Sequence, residues 1–329
     1  MASPFRFERV AIVGIGLIGA SIALALRQFG FGGPVAIADC SADALRDAKE
    51  LQLGTSYSLS AADAVSGADL VILCVPVGAV GAIGEAIAPA LKPGAIVTDV
   101  GSVKGAVIEA LTRTLPAANP IVPGHPISGS EHSGPHAGFA TLFRNRWCVL
   151  TPAEGTDPRA VDTVEDMWRG FEANVERMDA GRHDMVLAIT SHLPQLISYN
   201  IVRTASDMET VAETEVIKFS AGGFRDFTRL AASDPTMWRD VFLHNKEAVL
   251  ETLGRFSEDL AMLQRAIRWG HGEELFDTFT RTRAIRREVI AAGQDTAAPN
   301  FGRPAQTGLD EDDPADEATA NEARGEAAE

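Results

Sequence analysis

The first half of the chain alternates between short, fully apolar runs and longer segments with helical spacing. The runs cover residues 10–13, 34–38, 68–75 and 95–99, and a helix-forming segment follows the first and third of them, to about residue 29 and over about 80–91. A strand that is apolar at every position is buried on both faces, as in parallel sheets covered by helices. This pattern predicts an α/β fold built on a Rossmann-type doubly wound sheet.

The pattern changes after two further apolar stretches, residues 146–150 and 174–178, which we expect to complete the same sheet. From 182 to 292 the sequence predicts helices only. The first covers about residues 183–204, with a kink at Pro194 because proline removes a helical hydrogen bond. Another begins at the cap Asp234 and the first-turn residue Pro235 and is predicted to run to about Ile267.

These changes divide the chain into three parts. We predict a NAD-binding Rossmann-like domain over residues 1–179, an all-helical substrate and dimerisation domain over 180–293, and an acidic disordered tail over 294–329. The total length exceeds what one hydrophobic core usually serves, which agrees with two folded domains. The tail has ten acidic residues, two arginines and almost no large apolar side chains.

One helical stripe predicts a contact with another helix. Its apolar residues recur at intervals of three and four, which is the spacing of a helix-helix seam. The partner is either a second copy of the chain or another helix of the same chain. We favour a homodimer, because a small helical domain with this apolar face needs something to cover it. The residues are Leu253, Phe256, Leu260, Leu263 and Ile267.

Charge and cysteine content restrict the partners and the compartment. The formal net charge of −16 argues against nucleic-acid binding, which requires clustered Lys and Arg. Three widely spaced cysteines have no metal-site spacing and fit a reduced, cytoplasmic protein. The apolar run 10–26 superficially resembles an export signal or a membrane span, but its glycines and Ser21 favour a buried strand and helix instead, so no membrane association is expected.

The first strand leads into a glycine-rich turn that predicts a dinucleotide site. Gly14 would form the turn, Gly16 would let the backbone approach a pyrophosphate, and Gly19 would let the helix pack against the strand. Leu17 and Ile18 open the helix, where free N–H groups favour phosphate.

Asp39 follows the second strand, twenty residues after Gly19. There a carboxylate would accept hydrogen bonds from the adenosine ribose, which favours NAD over NADP. Arg46 lies close enough to leave NADP open, and Asp39 could instead be a helix cap.

The remaining strand ends should meet at the same crevice, because ligands of such sheets bind beyond the carboxyl ends of the strands. Val75 and Pro76 end one strand, Ser102 follows another, and His125 follows residues 120–122. A dehydrogenase needs a base to take a hydroxyl proton as hydride leaves. A neutral imidazole suits that role, so His125 is the candidate base, with a structural loop histidine as the alternative.

Several motifs together resemble the prephenate and arogenate dehydrogenase family of tyrosine biosynthesis. The resemblance covers about residues 8–290, and four motifs in order beside a dinucleotide fingerprint are more specific than any one alone. The motifs are GHPISGSEHSG at 124–134, DVGSVKG at 99–105, SHLP at 191–194, and GGFRDFTRLA at 222–231 followed by SDPTMWRD at 233–240.

The resemblance implies NAD-dependent oxidative decarboxylation of a cyclohexadienyl ring. His125 would deprotonate the ring C4 hydroxyl as that carbon gives hydride to NAD, and Ser102 would orient His125 and touch the hydroxyl. Arg229 would anchor the substrate carboxylate through its planar guanidinium. His192, Ser130 and Glu131 would complete the pocket, and no metal is required. From the residues alone, His192 could equally be a buried helix histidine and Arg229 a partner of a surface aspartate.

Other interpretations remain open at this stage. The chain could be a different NAD-dependent hydroxy-acid dehydrogenase with the same architecture, or a non-catalytic dinucleotide-sensing protein. The choice between prephenate and arogenate, which differ in a keto-acid or amino-acid side chain, is not determined. Because the first strand starts by Val10, we expect no fused chorismate mutase domain, and the tail is too short for an amino-acid-sensing domain.

Overall fold

The structure is a computed structural model that describes residues 5–129, 132–212 and 222–291. Ser130, Glu131 and the predicted disordered tail lie outside the described residues. Contacts group Met1–Phe276 into one compact unit and Asp277–Glu329 into another. The predicted boundary between residues 179 and 180 falls inside the first unit and stays a prediction.

A five-stranded parallel sheet forms the N-terminal half, in the order β3-β2-β1-β4-β5. Alternate residues of β1 enter two different cores: Ile12 packs with Ile22 and Leu26 of the first helix, while Val13 packs with Val71 and Val97 on the opposite face. The sheet is therefore covered on both faces, as predicted for a doubly wound fold. The short β3 was missing from the sequence prediction. The strands are β1 (Val10–Val13), β2 (Val35–Ala38), β3 (Ser56–Ser58), β4 (Leu70–Leu73) and β5 (Ile96–Asp99).

Helices alternate with these strands, and the described part of the chain after its last strand is helical. After the last strand the described residues contain only helices and connecting turns, which confirms the predicted helical C-terminal part. The helices are α1 (Leu17–Gln28), α2 (Ala42–Glu50), α3 (Ala61–Val65), α4 (Val80–Ile87), α5 (Gly105–Thr114), α6 (Pro158–Gly170), α7 (Ala180–Leu187), α8 (Leu193–Ala212), α9 (Gly222–Thr228), α10 (Pro235–His244), α11 (Lys246–Trp269) and α12 (Gly272–Ala291).

The later strands form a separate sheet, so the prediction that they complete the first sheet was wrong. β6 (Gly124–Pro126) pairs antiparallel with β7 (Trp147–Leu150), which pairs in parallel with β8 (Asn174–Arg177). A single backbone bridge between Val97 and Ile121 extends β5 toward this segment. The ladder beside β5 stops after Val122, because the next N–H on that side, of Gly124, donates to the side-chain carboxylate of Asp99 and not to a backbone carbonyl.

The helix predicted over about residues 183–204 is interrupted by a π-helical turn, Ala188–His192, between α7 and α8. The kink at Pro194 stays a prediction. The long helix predicted from Asp234 is in fact two helices. Asp234 caps α10 by accepting from the N–H of Met237, as predicted, but the helix ends at Asn245. The Asn245 side chain is buried and bonds to other parts of the chain, so tertiary contacts decide this break.

The helical run Ala180–Met208 is long and apolar enough, by length and composition alone, to cross a membrane. It also contains His183, Asp184 and His192, which are buried and bonded to residues elsewhere in the chain. Along α11, Leu260 and Ile267 of the predicted seam are exposed in the single chain. Nothing in the described part of the chain covers them.

Candidate active site

The glycine turn has the geometry predicted for Gly14 and Gly19. Gly14 has φ of +95°, and a Cβ there would lie 2.3 Å from the carbonyl oxygen of Cys74. A Cβ on Gly19 would lie 2.1 Å from the carbonyl oxygen of Gly14, so the helix packs directly on the turn. A Cβ on Gly16 would meet no heavy atom within 4 Å apart from its own chain neighbours, which leaves room for a ligand. The N-terminus of α1 has no side-chain cap and no acidic residue in its first turn.

Asp39 lies where β2 ends, beside the glycine turn. Its two carboxylate oxygens accept from the backbone N–H groups of Ile15 and Ser41, each at 2.8 Å. A carboxylate has about four lone-pair positions, so ribose hydroxyls could still bind it. The guanidinium of Arg46 is bonded to Asp43 at 2.7 Å, which weakens the case for Arg46 as a 2′-phosphate ligand.

The other predicted strand-end residues share this edge of the sheet. β1 lies between β2 and β4, and β5 lies next to β4, so their carboxyl ends are neighbours. Val75 is half-buried and Pro76 exposed just beyond β4, and Ser102 is half-buried beyond β5.

A buried ion pair lies between the end of β5 and the start of β6, the strand that contains His125. Lys104 is fully buried, and its Nζ donates to Asp99 Oδ2 at 2.5 Å and to the carbonyl oxygen of Gly124 at 2.7 Å. Asp99 also accepts from the N–H of Gly101. Lys104 therefore joins the end of β5 to the start of β6, and its ammonium is committed to these partners and not to a phosphate.

His125 lies in β6, and its ring belongs to a buried chain of three side chains. Its Nδ1 is 2.8 Å from Nε2 of His183, whose Nδ1 is 2.8 Å from Oδ1 of Asp184. Burial, and then electrostatic repulsion from His183, Lys104 and His192, which disfavours a protonated His125, hold the pKa of His125 well below its usual value of 6.5. His125 is therefore neutral near pH 7, the state a base requires. No hydrogen bond joins Ser102 to His125 in the described part of the chain, and Nδ1 of His125 is paired with His183.

His192 lies on the π-helical turn and is fully buried. The side-chain nitrogen of Asn245 lies 2.8 Å from the carbonyl oxygen of Asp184 and 3.0 Å from His192 Nδ1. Since a carbonyl can only accept, this atom is the amide nitrogen, and His192 Nδ1 accepts from it. Burial, with a smaller effect of His183 and against the pull of Asp184, lowers the pKa of His192 to about 4. The neutral ring then carries its proton on Nε2, which is buried and has no partner.

The predicted carboxylate anchor is placed differently from the histidines. Arg229 begins the 3₁₀ turn Arg229–Ala232, and its side chain is exposed. Side chains of α8 hold this turn in place: Gln195 donates to the carbonyl oxygen of Leu230 at 2.6 Å, and Tyr199 to that of Ser233 at 2.8 Å. The buried cluster thus comprises His125, His183 and His192, with Arg229 on the surface of the single chain.

Sequence reasoning missed His183, Asp184 and Asn245 as parts of this site. His183 and His192 are nine residues apart, about two and a half turns of α-helix, which would place them on opposite sides. The π-helical turn takes up about one extra residue and rotates His192 toward His183. The adjacent His183 and Asp184 at the start of a helix were the available signal. Among the described residues, no group of three or more His, Cys, Asp or Glu side chains could hold a metal ion.

Comparison with known proteins identifies the family. Residues 22–177 match the prephenate dehydrogenase nucleotide-binding domain, and residues 179–281 match the prephenate dehydrogenase dimerization domain. The chain belongs to the prephenate dehydrogenase family. This membership confirms the resemblance drawn from the motifs, the Rossmann-type and helical fold class, and an NAD-dependent dehydrogenase as the enzyme class.

Individual relatives agree with this assignment. The cyclohexadienyl dehydrogenase of Zymomonas mobilis is 42% identical over 280 residues, covering 85% of this chain and 95% of the relative. The prephenate dehydrogenase of Bacillus subtilis is 32% identical over 295 residues, covering 89% and 79%. The Aquifex aeolicus prephenate dehydrogenase, solved with hydroxyphenyl propionate and NAD+, superposes with a TM-score of 0.81 at 35% identity, covering 86% of this chain and 98% of that one.

Proposed function

We propose that this chain oxidises and decarboxylates prephenate to 4-hydroxyphenylpyruvate with NAD, using His125 as the base. The observation that carries the proposal is a buried, neutral His125 at the carboxyl edge of a nucleotide-binding sheet. NAD supplies the hydride acceptor when bound. His125 Nε2 would take the C4 hydroxyl proton as the carbon becomes a carbonyl. Loss of the ring carboxylate as carbon dioxide then leaves an electron pair that makes the ring aromatic, and His125 returns the proton to the phenol oxygen.

The residues near the glycine turn fit NAD. The open space at Gly16 and the uncapped start of α1, which includes Leu17 and Ile18, would receive the pyrophosphate. Gly14 and Gly19 keep the turn close to the sheet. Asp39 would bind the adenosine ribose, and Val75 and Pro76 would line the cofactor beyond β4. The NAD-containing Aquifex aeolicus relative supports the same choice of cofactor.

The proposed substrate contacts come from His192 and from the motif residues Ser102, Arg229, Ser130 and Glu131. His192 would donate its unpartnered Nε2–H to a substrate oxygen, since leaving that donor buried and unpaired is unfavourable. Ser102 would contact the C4 hydroxyl, and Arg229 would bind the carboxylate of the side chain. Ser130 and Glu131 are proposed pocket residues on the strength of the motif alone.

The helical part is proposed to form a homodimer. The match of residues 179–281 to a dimerization domain supports this, as do the exposed Leu260 and Ile267 on the predicted seam of α11. Single-chain exposure of such a stripe is unfavourable unless another surface covers it. Light scattering after size exclusion should give about twice the chain mass of 34.9 kDa. A mass equal to one chain would contradict the dimer.

A cytoplasmic location is proposed because Cys40, Cys74 and Cys148 are all free thiols in the structure. Cys148 is buried, and burial raises its thiol pKa well above the usual value, so it stays protonated. A reducing compartment suits such a protein.

The assay that tests the activity combines purified protein, NAD and prephenate, with absorbance of NADH and chromatography of the product. We expect NADH and 4-hydroxyphenylpyruvate in equal amounts, and a lower KM for NAD than for NADP. Parallel reactions with arogenate test it as a second substrate. The reason to include it is the name of a similar structure, the Synechocystis arogenate dehydrogenase, which is 27% identical to this chain with a TM-score of 0.71. No turnover of either substrate would contradict the proposed function.

A further inference from the structure

The hydrogen bond between His125 and His183 leaves no nitrogen of His183 available to a substrate. Both rings are buried, with relative exposures of 8% and 0%, and their centroids are 5.1 Å apart at an interplanar angle of 67°. His183 uses Nε2 toward His125 and Nδ1 toward Asp184. It therefore acts on the reaction only through His125.

Asp184 determines which atom donates in each hydrogen bond between His125, His183 and Asp184. Besides His183, it accepts from the backbone N–H of Lys104 through Oδ1 and from that of Gly105 through Oδ2, each at 2.8 Å. Burial raises the pKa of Asp184, but the hydrogen bonds from His183 and these two backbone groups outweigh burial and lower the pKa overall. Asp184 is therefore ionised at neutral pH and can only accept hydrogen bonds.

The protons of both imidazoles follow from that fact. Because Asp184 only accepts, Nδ1 of His183 must carry a proton. In a neutral His183 ring, Nε2 is then an acceptor, so Nδ1 of His125 must be the donor in the hydrogen bond between them. A neutral His125 with its proton on Nδ1 has an unprotonated Nε2.

We propose that His183, held by Asp184, is the positioning residue of the base: it keeps the proton of His125 on Nδ1, so that Nε2 has the lone pair that receives the substrate proton. The inference rests on the proposed function, in which His125 is that base. His183 also accepts from His125 Nδ1 after the substrate proton has arrived, and the negative charge of Asp184 then lies two hydrogen bonds from the imidazolium.

The groups around His125 explain why such support matters. Lys104, paired with Asp99, donates to the carbonyl oxygen of Gly124 next to His125, His192 lies on the π-helical turn, and Cys148 on β7 is an un-ionised thiol. Burial and these neighbours disfavour a charged His125. His183, hydrogen-bonded to the ionised Asp184, offsets the charge that His125 gains when it accepts the substrate proton.

Two substitutions of His183 separate positioning from packing. His183→Leu removes the acceptor, and kcat should fall at least about tenfold and up to ~10⁴-fold, the loss found when a catalytic histidine has the wrong tautomer, with little change in KM. His183→Gln offers an amide oxygen to His125 Nδ1 and should restore most of kcat. His136 is an exposed histidine outside the proposed site, so His136→Asn is the matched control and should keep the wild-type kcat. Thermal unfolding reports whether each variant folds.

The acid side of the pH profile reports the base. In the wild type, kcat/KM should fall with decreasing pH, because protonation of His125 removes the lone pair at Nε2. In His183→Leu, kcat should stay low at every pH, because a change in pH does not restore the lost acceptor at Nδ1. A His183→Leu variant that recovered the wild-type kcat at higher pH would mean that His183 acts on His125 only as a charge, and would overturn the proposal.

Nitrogen NMR of ¹⁵N-histidine-labelled wild-type protein gives a readout that does not depend on any His183 variant. The His125 signals, assigned by their loss in His125→Asn, should show the Nδ1–H tautomer at neutral pH, and an Nε2–H tautomer would overturn the proposal. If His125→Asn kept wild-type kcat, the proposed base itself would be wrong. If His125→Asn is inactive while His183→Leu keeps both kcat and the pH profile, only the role of His183 fails.

Discussion

Two regions of the molecule prepare the same reaction by different means. The nucleotide edge, formed by Gly14, Gly16, Gly19 and Asp39, is built from backbone geometry within residues 14–39. The histidine cluster, formed by His125, His183 and His192 with Asp184 and Asn245, is built from side chains that come from residues 125–245. The nucleotide edge depends on close approach and open N–H groups, whereas the histidine cluster depends on which nitrogen carries each proton. Substitutions in the two regions should therefore change different kinetic constants.

The largest effect is expected at His125. His125→Asn removes the base and should lower kcat by about 10²- to 10⁴-fold, while KM for NAD and prephenate changes little. Steady-state kinetics with each substrate varied measures the three constants. A nearly active variant would show that the histidine cluster does not contain the base.

Arg229 lies outside both regions and tests where substrate affinity comes from. Arg229→Gln removes a charge-assisted contact and should weaken prephenate binding by about 1.5 to 3 kcal/mol, seen as a raised KM with kcat largely kept. Arg229→Lys keeps the charge but not the planar guanidinium, so its KM for prephenate should lie between those of the wild type and Arg229→Gln. An unchanged KM in Arg229→Gln would place the carboxylate anchor elsewhere.

Two glycines of the nucleotide edge form a matched pair. Gly16→Ala adds a Cβ in open space, so stability should stay near wild type while KM for NAD rises about tenfold, as for one lost charge-assisted hydrogen bond of ~1.5 kcal/mol. Gly19→Ala forces a Cβ against the Gly14 carbonyl and should lower the free energy of unfolding by about 1–3 kcal/mol. Thermal unfolding and NAD kinetics on both variants test this difference. Equal stability of the two variants would contradict it.

The smallest effect is expected at Asp39. In Asp39→Asn the amide nitrogen must face the N–H of either Ile15 or Ser41, and the carboxylate that would repel a 2′-phosphate is gone. The ratio of kcat/KM for NAD to that for NADP should fall a few-fold, about 1 kcal/mol for an exposed charge interaction. A ratio that stays at the wild-type value would remove Asp39 from cofactor choice.

The nucleotide edge could be predicted from the sequence because a strand and glycines close together in the sequence specify the turn. A buried strand followed by Gly14, Gly16 and Gly19 is a signal within ten residues of sequence, and the structure has the positive φ at Gly14 and the close packing at Gly19 that this signal predicts. The same reasoning failed for β6, β7 and β8. Apolar runs show that strands exist, but contacts formed only in the folded chain, such as the hydrogen bond from Gly124 to the Asp99 carboxylate, decide which sheet they join.

The helical half shows the same limit. The apolar spacing beyond Asp234 predicts one long helix, yet the chain breaks at Asn245, whose buried amide bonds to Asp184 and His192. A hydrogen bond to a residue about sixty positions earlier has no trace in local periodicity. The break is set by a contact that exists only once the fold has formed.

The sequence by itself determined the doubly wound sheet, the glycine turn, the helical C-terminal part and His125 as the candidate base, because apolar periodicity, glycine spacing and strand ends are local properties of the chain. Only the tertiary structure decided that His183 and Asp184 stand behind His125 and that Asn245 leaves His192 with a free donor. Those assignments depend on which buried nitrogen meets which oxygen, and packing of distant segments supplies that information.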